Sequence, residues 1–570
     1  MTKKTNIQRK STKYNNIKEL VIGLLIIIAV NFLGSSQFYR IDMTAEKRYT
    51  LTDATKKLIN DIDDVIYFRV YLEGNFPAEF RKLRNETREM LDEFSAYSGY
   101  IQYDFVNPSS GDDQKQVEAK YHSLMRKGLQ PTQLDVREVD ATSQRVIFPG
   151  AIVSYKGREV PINILHSQMG RSEQETITNS VQALEYKIAS AIRILTADKK
   201  PKIAFLDGYD KIPDKKLADI NNELLNFYDI FYINLEKHHN YLDSIKTLII
   251  ADPVKAIPEE DKFLIDQYIM RGGTVLWLVN PIFADMDSLN HAPQTIGMAK
   301  DLNIDDMLFK YGVRLNANLI QDLRAVEIPI TTGFIGNRPQ IDWLPWVFYP
   351  IVSNADNHPI VKNLNAIRTE FISSMDTVKA KNVKKTKLLK TSPYTRVLRA
   401  PVPISLDIIQ NPLPEELYNE QRQTVAVLLE GQFESLYKNR PHPINKLPSN
   451  HSFKEKSEKT SQIVVSDGSI IQNQISRHGG HPLPLGYDQY TQDFFENRDF
   501  ILNAINYLAD DTGIIEARAK EIRLRELDKR RIQQSRLAVQ TFNVIIPIVI
   551  VIIFGLLKNF VRKIKYSKKK

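Results

Sequence analysis

Short β-branched or apolar runs alternate along this chain with longer stretches whose apolar residues recur at helical spacing. Thr52-Asp53 caps a predicted helix that runs to Ile59, and residues 65–72 (VIYFRVYL) read as a strand. From Pro77 onward, Phe80, Leu83, Thr87, Met90, Leu91 and Phe94 fall near one helical face. Residues 101–106 read as a second strand, parallel to the first through a right-handed crossover. A helix around residues 117–125 leads to two runs, 146–155 and 158–165, that flank Lys156-Gly157 as a hairpin. A long helix over residues 176–195 closes the unit. Two strands with a crossover, a hairpin and a terminal helix is the thioredoxin-like order, assigned to residues 39–198.

A second unit starts after Lys199-Lys200-Pro201. Residues 202–206 (KIAFL), 229–235, 247–251 (TLIIA) and 274–280 (TVLWLVN) read as strands, with helices at residues 217–227 and from Pro258 to Arg271. Glu259 and Glu260 sit at the positive end of the second helix, and Gly272-Gly273 stops it. Continuous apolar strands separated by helices predict a parallel sheet covered on both faces. The fold class is therefore α/β, with a doubly wound flavodoxin/amidotransferase-like domain at residues 199–512. An insertion at about 281–460 interrupts it. There the βα rhythm gives way to Trp343-Leu344-Pro345-Trp346 and short strand-like runs at residues 371–375 and 424–429. A polar loop at 445–461, a strand at 462–466 (QIVVS) and a helix at 493–508 are expected to complete the sheet.

Two apolar segments flank this polar body, at residues 20–38 and 539–557. At roughly 1.5 Å per residue each matches the hydrocarbon thickness of a bilayer, and both read as transmembrane helices. The first exceeds a usual signal-peptide core, and Gly34-Ser35-Ser36 is a weak cleavage-site mimic, so it reads as an uncleaved anchor. A charged stretch at 513–538 reads as a stalk helix with pairs such as Glu521 and Arg525.

Charge refines this picture. The net charge is +9, yet the basic tails at residues 1–19 and 558–570 contribute +5 and +7, which leaves −3 for everything between them. Anionic membrane lipids are the expected partner of those tails, and no nucleic-acid partner is indicated. Thirteen Lys and Arg residues in the two tails exceed the nine that flank the spans on the other side. Both tails are therefore placed in the cytoplasm, which makes the chain a two-pass inner-membrane protein with its large domain in the periplasm.

The chain has no cysteine, which excludes disulfides, thiol nucleophiles and Cys-based zinc sites. It also lacks G-x-x-x-x-G-K-[ST], G-x-S-x-G, H-E-x-x-H and G-x-G-x-x-G, so phosphate-loop, serine-hydrolase, zinc-peptidase and dinucleotide readings have no carrier. No catalytic residue, cofactor or metal is assigned. Asp207, Gly208, Tyr209 and Asp210 follow a sheet strand where open α/β domains bind ligands, and they are the candidate ligand or partner contact. His478-Gly479-Gly480-His481 reads as a Gly/Pro turn, since it lacks a third nearby metal ligand.

Residues 38–59 (FYRIDMTAEKRYTLTDATKKLI), 70–97 (VYLEGNFPAEFRKLRNETREMLDEFSAY), 201–210 (PKIAFLDGYD) and 498–511 (RDFILNAINYLADD) resemble the GldG family. These are the gliding-motility-associated ABC transporter auxiliary (substrate-binding-like) proteins of Bacteroidetes. The resemblance spans nearly the whole chain and rests on many ordinary residues. It implies a non-catalytic, extracytoplasmic auxiliary subunit that works in gliding motility or secretion with a separate ABC ATPase and a multi-span permease. Relatives often carry a Gly-His-Gly-Glu-like turn after the strand at 202–206, where this chain has Asp207-Gly208-Tyr209-Asp210. A degenerate hydrolase or amidotransferase, or a structural scaffold of a motility apparatus, are the alternative expectations.

Overall fold

The computed structural model describes residues 17–18, 20–29, 50–110, 113–137, 142–165, 172–197, 199–210, 212–236, 241–336, 338–443, 452–477, 479–510, 512–519 and 535–567. Residues 17–519 of that set belong to one compact unit and residues 535–567 to a second.

The first sheet contains β1 (Ile66–Val70), β2 (Ile101–Phe105), β3 (Gly150–Tyr155) and β4 (Arg158–Asn163), in the spatial order β2-β1-β3-β4. β1 and β2 are parallel, with Ile66 opposite Ile101, and β3 runs antiparallel to β1. The helix Ala78–Tyr97 makes the crossover and buries all six apolar-face positions expected from its spacing. Tyr155 pairs with Arg158 across a two-residue turn in which Lys156 and Gly157 both have positive φ, at 45° and 78°. That is the geometry a right-twisted hairpin requires.

Two local expectations are revised. The helix expected over 176–195 is two helices, Glu173–Gln182 and Leu184–Thr196, because the chain tightens at Ala183, whose N–H is shared between Asn179 O and Ser180 O at 3.2 Å each. The strand expected from residue 146 is broken at Phe148-Pro149. Residues Thr142–Ile147 instead form a separate hairpin with Thr132–Arg137.

The main sheet has ten strands. Its parallel half contains β5 (Lys202–Asp207), β6 (Asp229–Asn234), β7 (Thr247–Ala251) and β8 (Thr274–Leu278). The other strands are β9 (Ala325–Ile335), β10 (Arg338–Asn354), β11 (Val383–Lys390), β12 (Thr424–Glu434) and β13 (Lys456–Val465). The order is β9-β10-β11-β12-β13-β8-β7-β5-β6, with Ile367–Arg368 beside β10. β13 lies parallel to β8, as expected for a strand that completes the sheet after an insertion.

The insertion, where the βα rhythm is lost, is itself part of the sheet. It supplies β12, β11, β10 and β9, which continue the same sheet antiparallel from β13. Residues 371–375 do not form the expected strand, since Phe371 takes a left-handed φ of 49° and only Met375–Thr377 pairs.

Both faces of the sheet are covered. On one, Ile203, Ile249, Leu276 and Ile463 pack with Phe500, Ile501, Ala504 and Ile505 of the helix Asn497–Ala509. On the other, Leu248, Ile250, Val275 and Trp277 pack with Phe263, Leu264, Ile265 and Ile269 of the helix Glu259–Met270. That second helix is buried all round, and it carries Asp266 inside. The Asp266 carboxylate accepts hydrogen bonds from Tyr311 Oη at 2.6 Å, Ser435 Oγ at 2.7 Å and Leu436 N at 2.9 Å. A buried carboxylate needs such partners, and here they bind the inserted segment to the parallel half.

The expected stalk helix does not begin at Ile514. Ile514–Ala519 is a 3₁₀ turn whose Ile514, Ile515 and Ala517 are buried, and Arg518 stacks over Tyr186 at 5.2 Å. Three apolar residues in a row of turns made burial there more favourable than solvation as a stalk. The next fifteen residues lie outside those described.

In the second unit, Arg536–Ser567 is one helix with Pro547 inside it. Its stretch Gln540–Ile564 has a mean hydropathy of 2.6, and among the described residues it is the one helix long and apolar enough to cross a membrane. The N-terminal apolar segment is described as helix over Leu20–Ala29, and the rest of the expected span, residues 30–38, lies outside the described residues.

Candidate functional site at the carboxyl edge of the parallel strands

The parallel strands end in a row of polar residues: Asp207 as the last residue of β5, Asp252 after β7, Asn280 after β8 and Asp467 after β13. Parallel strands all finish on one edge of the sheet, so these side chains share that edge. The sequence-predicted turn is one corner of it.

In that turn Gly208 has φ 109° and its N–H donates to Asp207 Oδ1 at 2.9 Å. A Cβ on Gly208 would sit 2.8 Å from Asn234 Nδ2 at the end of β6, so the close approach needs glycine. Tyr209 turns inward, and its hydroxyl donates to the Asp261 carboxylate in the first turn of Glu259–Met270. Burial, reinforced by Asp261, pushes the Tyr209 hydroxyl well above its ordinary value. Val254 N donates to Tyr209 O at 3.0 Å. Asp210, exposed and at φ 65°, pairs with Lys255 at 2.8 Å. The space beside Phe205, Ile212 and Tyr209 is about 20 Å³, room for one water and not for a metabolite. The four predicted residues are thus brought together, with Tyr209 as a plug and Asp210 as the outward-facing group.

The rest of the edge was not foreseen. Asp252 has φ 45°, and its carboxylate receives Lys300 Nζ at 3.4 Å, Asn280 Nδ2 at 3.5 Å and Gln472 Nε2 at 3.5 Å. Gly468 lets it approach, since a Cβ there would meet Asp252 Oδ1 at 2.5 Å. Gly468 N donates to Asn280 Oδ1 at 3.1 Å, which joins the ends of β8 and β13. Next to it Asp467 is fully buried, and accepts from Ser469 N at 2.8 Å, Ser469 Oγ at 2.7 Å and Glu370 N at 3.2 Å. Burial pushes its carboxyl up to about 7 against those donors, and the Glu370 carboxylate adds to the rise. Arg368 pairs with Glu370 at 2.8 Å and lies 3.5 Å from buried Asp488. The signal available in the sequence was the Asp or Asn that ends each apolar run.

Chemically this edge is a set of matched donors and acceptors. Ser466, at the strand-to-loop position where a nucleophile would stand, is buried and donates to Ser373 O. Among the described residues the histidine rings that hydrogen-bond do so to main chain, His291 at Asp287 O and His358 at Ile360 N. Of the other candidate motif, His478 lies outside the described residues, and His481 sits in a turn closed by Ser476 N to His481 O at 2.9 Å. Among the described residues no group of three or more His, Asp or Glu side chains is placed to hold a metal ion.

Two larger concavities lie elsewhere. A cleft of about 600 Å³ opens at the carboxyl ends of β1 and β2, lined by Tyr71, Phe76, Asn107 and Tyr121 among others. Glu73 on its rim is held by Arg84 at 2.8 Å and Arg88 at 3.2 Å. A groove of about 780 Å³ runs beside Lys310, Arg314, Lys438 and Arg440, each of which has a carboxylate partner.

A mixed α/β body and a membrane-length helix are what the fold defines. Within that class, the chain belongs to the auxiliary family described as an ABC-type uncharacterized transport system, whose model matches residues 200–504. Residues 45–154 match a domain of unknown function (DUF7088). An uncharacterized protein of Borreliella burgdorferi is 23% identical over 571 residues, which covers 97% of this chain and 99% of that protein. The solved mmIFT52 N-terminal domain is 13% identical and covers 54% of this chain and 98% of its own at a TM-score of 0.30, a likeness that carries no argument. Family membership associates the chain with ABC-type transport as an accessory component, and the exposed apolar helix supports membrane association.

Proposed function

We propose that this chain is a non-catalytic, membrane-anchored auxiliary subunit of an ABC-type complex, with its large domain outside the cytoplasm. It couples a partner or substrate to a permease and an ATPase. The observation that carries the reading is family membership over the whole main sheet, joined to a sequence with no phosphate loop. Energy then comes from a partner protein. Two anchors, at residues 20–38 and 539–557, and basic tails in the cytoplasm against anionic lipid complete the topology.

In this reading the thioredoxin-like region at 39–198 and the doubly wound region at 199–512 are binding bodies, and the outward-facing Asp210 with its neighbours Asp207, Gly208 and Tyr209 contacts a partner. Tyr209 is already bonded inward, so contact falls to Asp210 and Lys255 at the rim. Gliding motility or secretion is the process to which the sequence resemblance points.

The test is reconstitution. The purified chain should show no ATPase activity above background, whereas the complex with its ATPase and permease should hydrolyse ATP, and Asp210→Lys should lower that coupled rate. ATP binding or turnover by the chain alone would overturn the proposal. So would a reporter inserted within residues 445–450 that is active only in the cytoplasm.

A further inference from the structure

β9 and β10 extend beyond the body of the main sheet as a two-stranded ribbon. Trp346, at its base, is fully buried, and the outer residues 329–343 pair only with each other. A ribbon of this kind is marginal in water unless one face is covered. The register places Phe334 opposite Pro339, Thr331 opposite Ile341 and Pro329 opposite Trp343. One face therefore carries Phe334, Ile341 and Trp343, which are 72%, 53% and 43% exposed. The other face carries Ile330, Arg338, Gln340 and Asp342, and the Asp342 carboxylate, the one acid between residues 329 and 343, accepts there from Thr332 Oγ1 and from Gln340 Nε2 at 3.3 Å.

The apolar face continues onto the body. Trp343 packs on Tyr490 with ring centroids 5.9 Å apart, and Arg477 lies over that Tyr490 ring at 4.4 Å. Arg338 stands at the ribbon's turn. Arg477 is thus the guanidinium beside the Trp343 face, whereas Arg338 lies on the Asp342 side of the ribbon. Tryptophan, tyrosine and phenylalanine flanked by arginine match the chemistry of a bilayer interface, where rings sit at headgroup depth and guanidinium groups meet phosphates. The same chain carries the membrane helix, so its body stays at high effective concentration near a bilayer.

We propose that the ribbon formed by β9 and β10 is a membrane-docking element, which lays Phe334, Ile341 and Trp343 into the headgroup region of an anionic bilayer while Arg477 engages lipid phosphate. It acts in addition to the anchoring helix and holds the body in a defined attitude to the surface.

The tryptophan inventory makes the proposal directly readable. Trp277 and Trp346 are fully buried, which leaves Trp343 as the tryptophan a bilayer can reach. The full-length chain is reconstituted into phosphatidylcholine vesicles with or without phosphatidylglycerol, using acyl chains brominated near the headgroup. Every arm is anchored by the same helix, so anchoring is not the variable. Bromine quenching of tryptophan emission should be roughly two-fold stronger in the anionic vesicles, should vanish in Trp343→Phe, and should lose its dependence on phosphatidylglycerol in Arg477→Gln. Equal quenching in wild type and Trp343→Phe would overturn the proposal. Equal quenching in neutral and anionic vesicles would also overturn it, as would shielding of Trp343 only on addition of the permease.

Discussion

Asp467 makes the stability of the main sheet depend on pH in an unusual direction. Its carboxyl has an ordinary value of 3.8 and rises to about 7 in the folded protein, because burial outweighs the three donors from Ser469 and Glu370. Between those values the folded state holds a proton that the unfolded chain has released. The stabilisation is therefore complete below 3.8 and is lost as pH rises through 7, at roughly 1.4 kcal/mol per pH unit. From about pH 5 to about 7.5 that amounts to roughly 2.5 kcal/mol. Asp467→Asn removes the titration while keeping an oxygen for Ser469. Urea unfolding of the full chain in detergent, followed by tryptophan emission, includes the report of Trp277, which lies opposite Val464 in β13, three residues before Asp467. Wild type should lose about 2.5 kcal/mol over that range relative to the variant. Parallel pH curves for the two proteins would refute the reasoning.

Two further outcomes follow from the packing. Gly431→Ala should destabilise by about 2–4 kcal/mol, because its Cβ would lie 2.1 Å from Asn382 O at a φ of 144°; a thermal melt unchanged within a degree or so would contradict this. Tyr209→Phe should cost roughly 1.5–3 kcal/mol by leaving the buried Asp261 carboxylate one donor short, and urea midpoints equal to wild type would show that bond to be unimportant.

Much of the parallel half was legible because its signals are local. Pro258, the acidic first turn and Gly272-Gly273 delimit Glu259–Met270, and β5, β7, β8 and the end of β13 each read as an apolar run, whereas residues 456–461, expected as polar loop, are the first half of β13. The insertion was not legible as sheet, and β10 shows why. It holds Pro339, Pro345 and Pro350, which argue against a strand on sequence grounds. The structure accommodates Pro339 and Pro345 because β10 there has β9 on one side and no strand on the other. The candidate turn follows β5, but its inward Tyr209 and its neighbours Asp252, Asn280 and Asp467 depend on which strand ends become adjacent. That is a property of strand order, and strand order becomes readable only once β13 is known to sit beside β8.

That adjacency sets a schedule for making the protein. Trp277 on β8 and Gln462 on β13 are 185 residues apart, yet the Trp277 indole donates to the Gln462 side chain at 2.9 Å in the middle of the sheet. Until β13 arrives, β8 presents an unpaired edge of Val275, Leu276, Trp277 and Leu278, and the four strands of the insertion have nothing to add to. A chain growing or crossing a membrane from its N-terminus carries that sticky edge while the 185 residues from Trp277 to Gln462 are added. The final closure of the sheet comes shortly before the membrane helix emerges. Holding factors that bind extended apolar strands would act in that interval, and truncations that stop short of residue 465 would yield aggregates, not smaller folded versions of the same body.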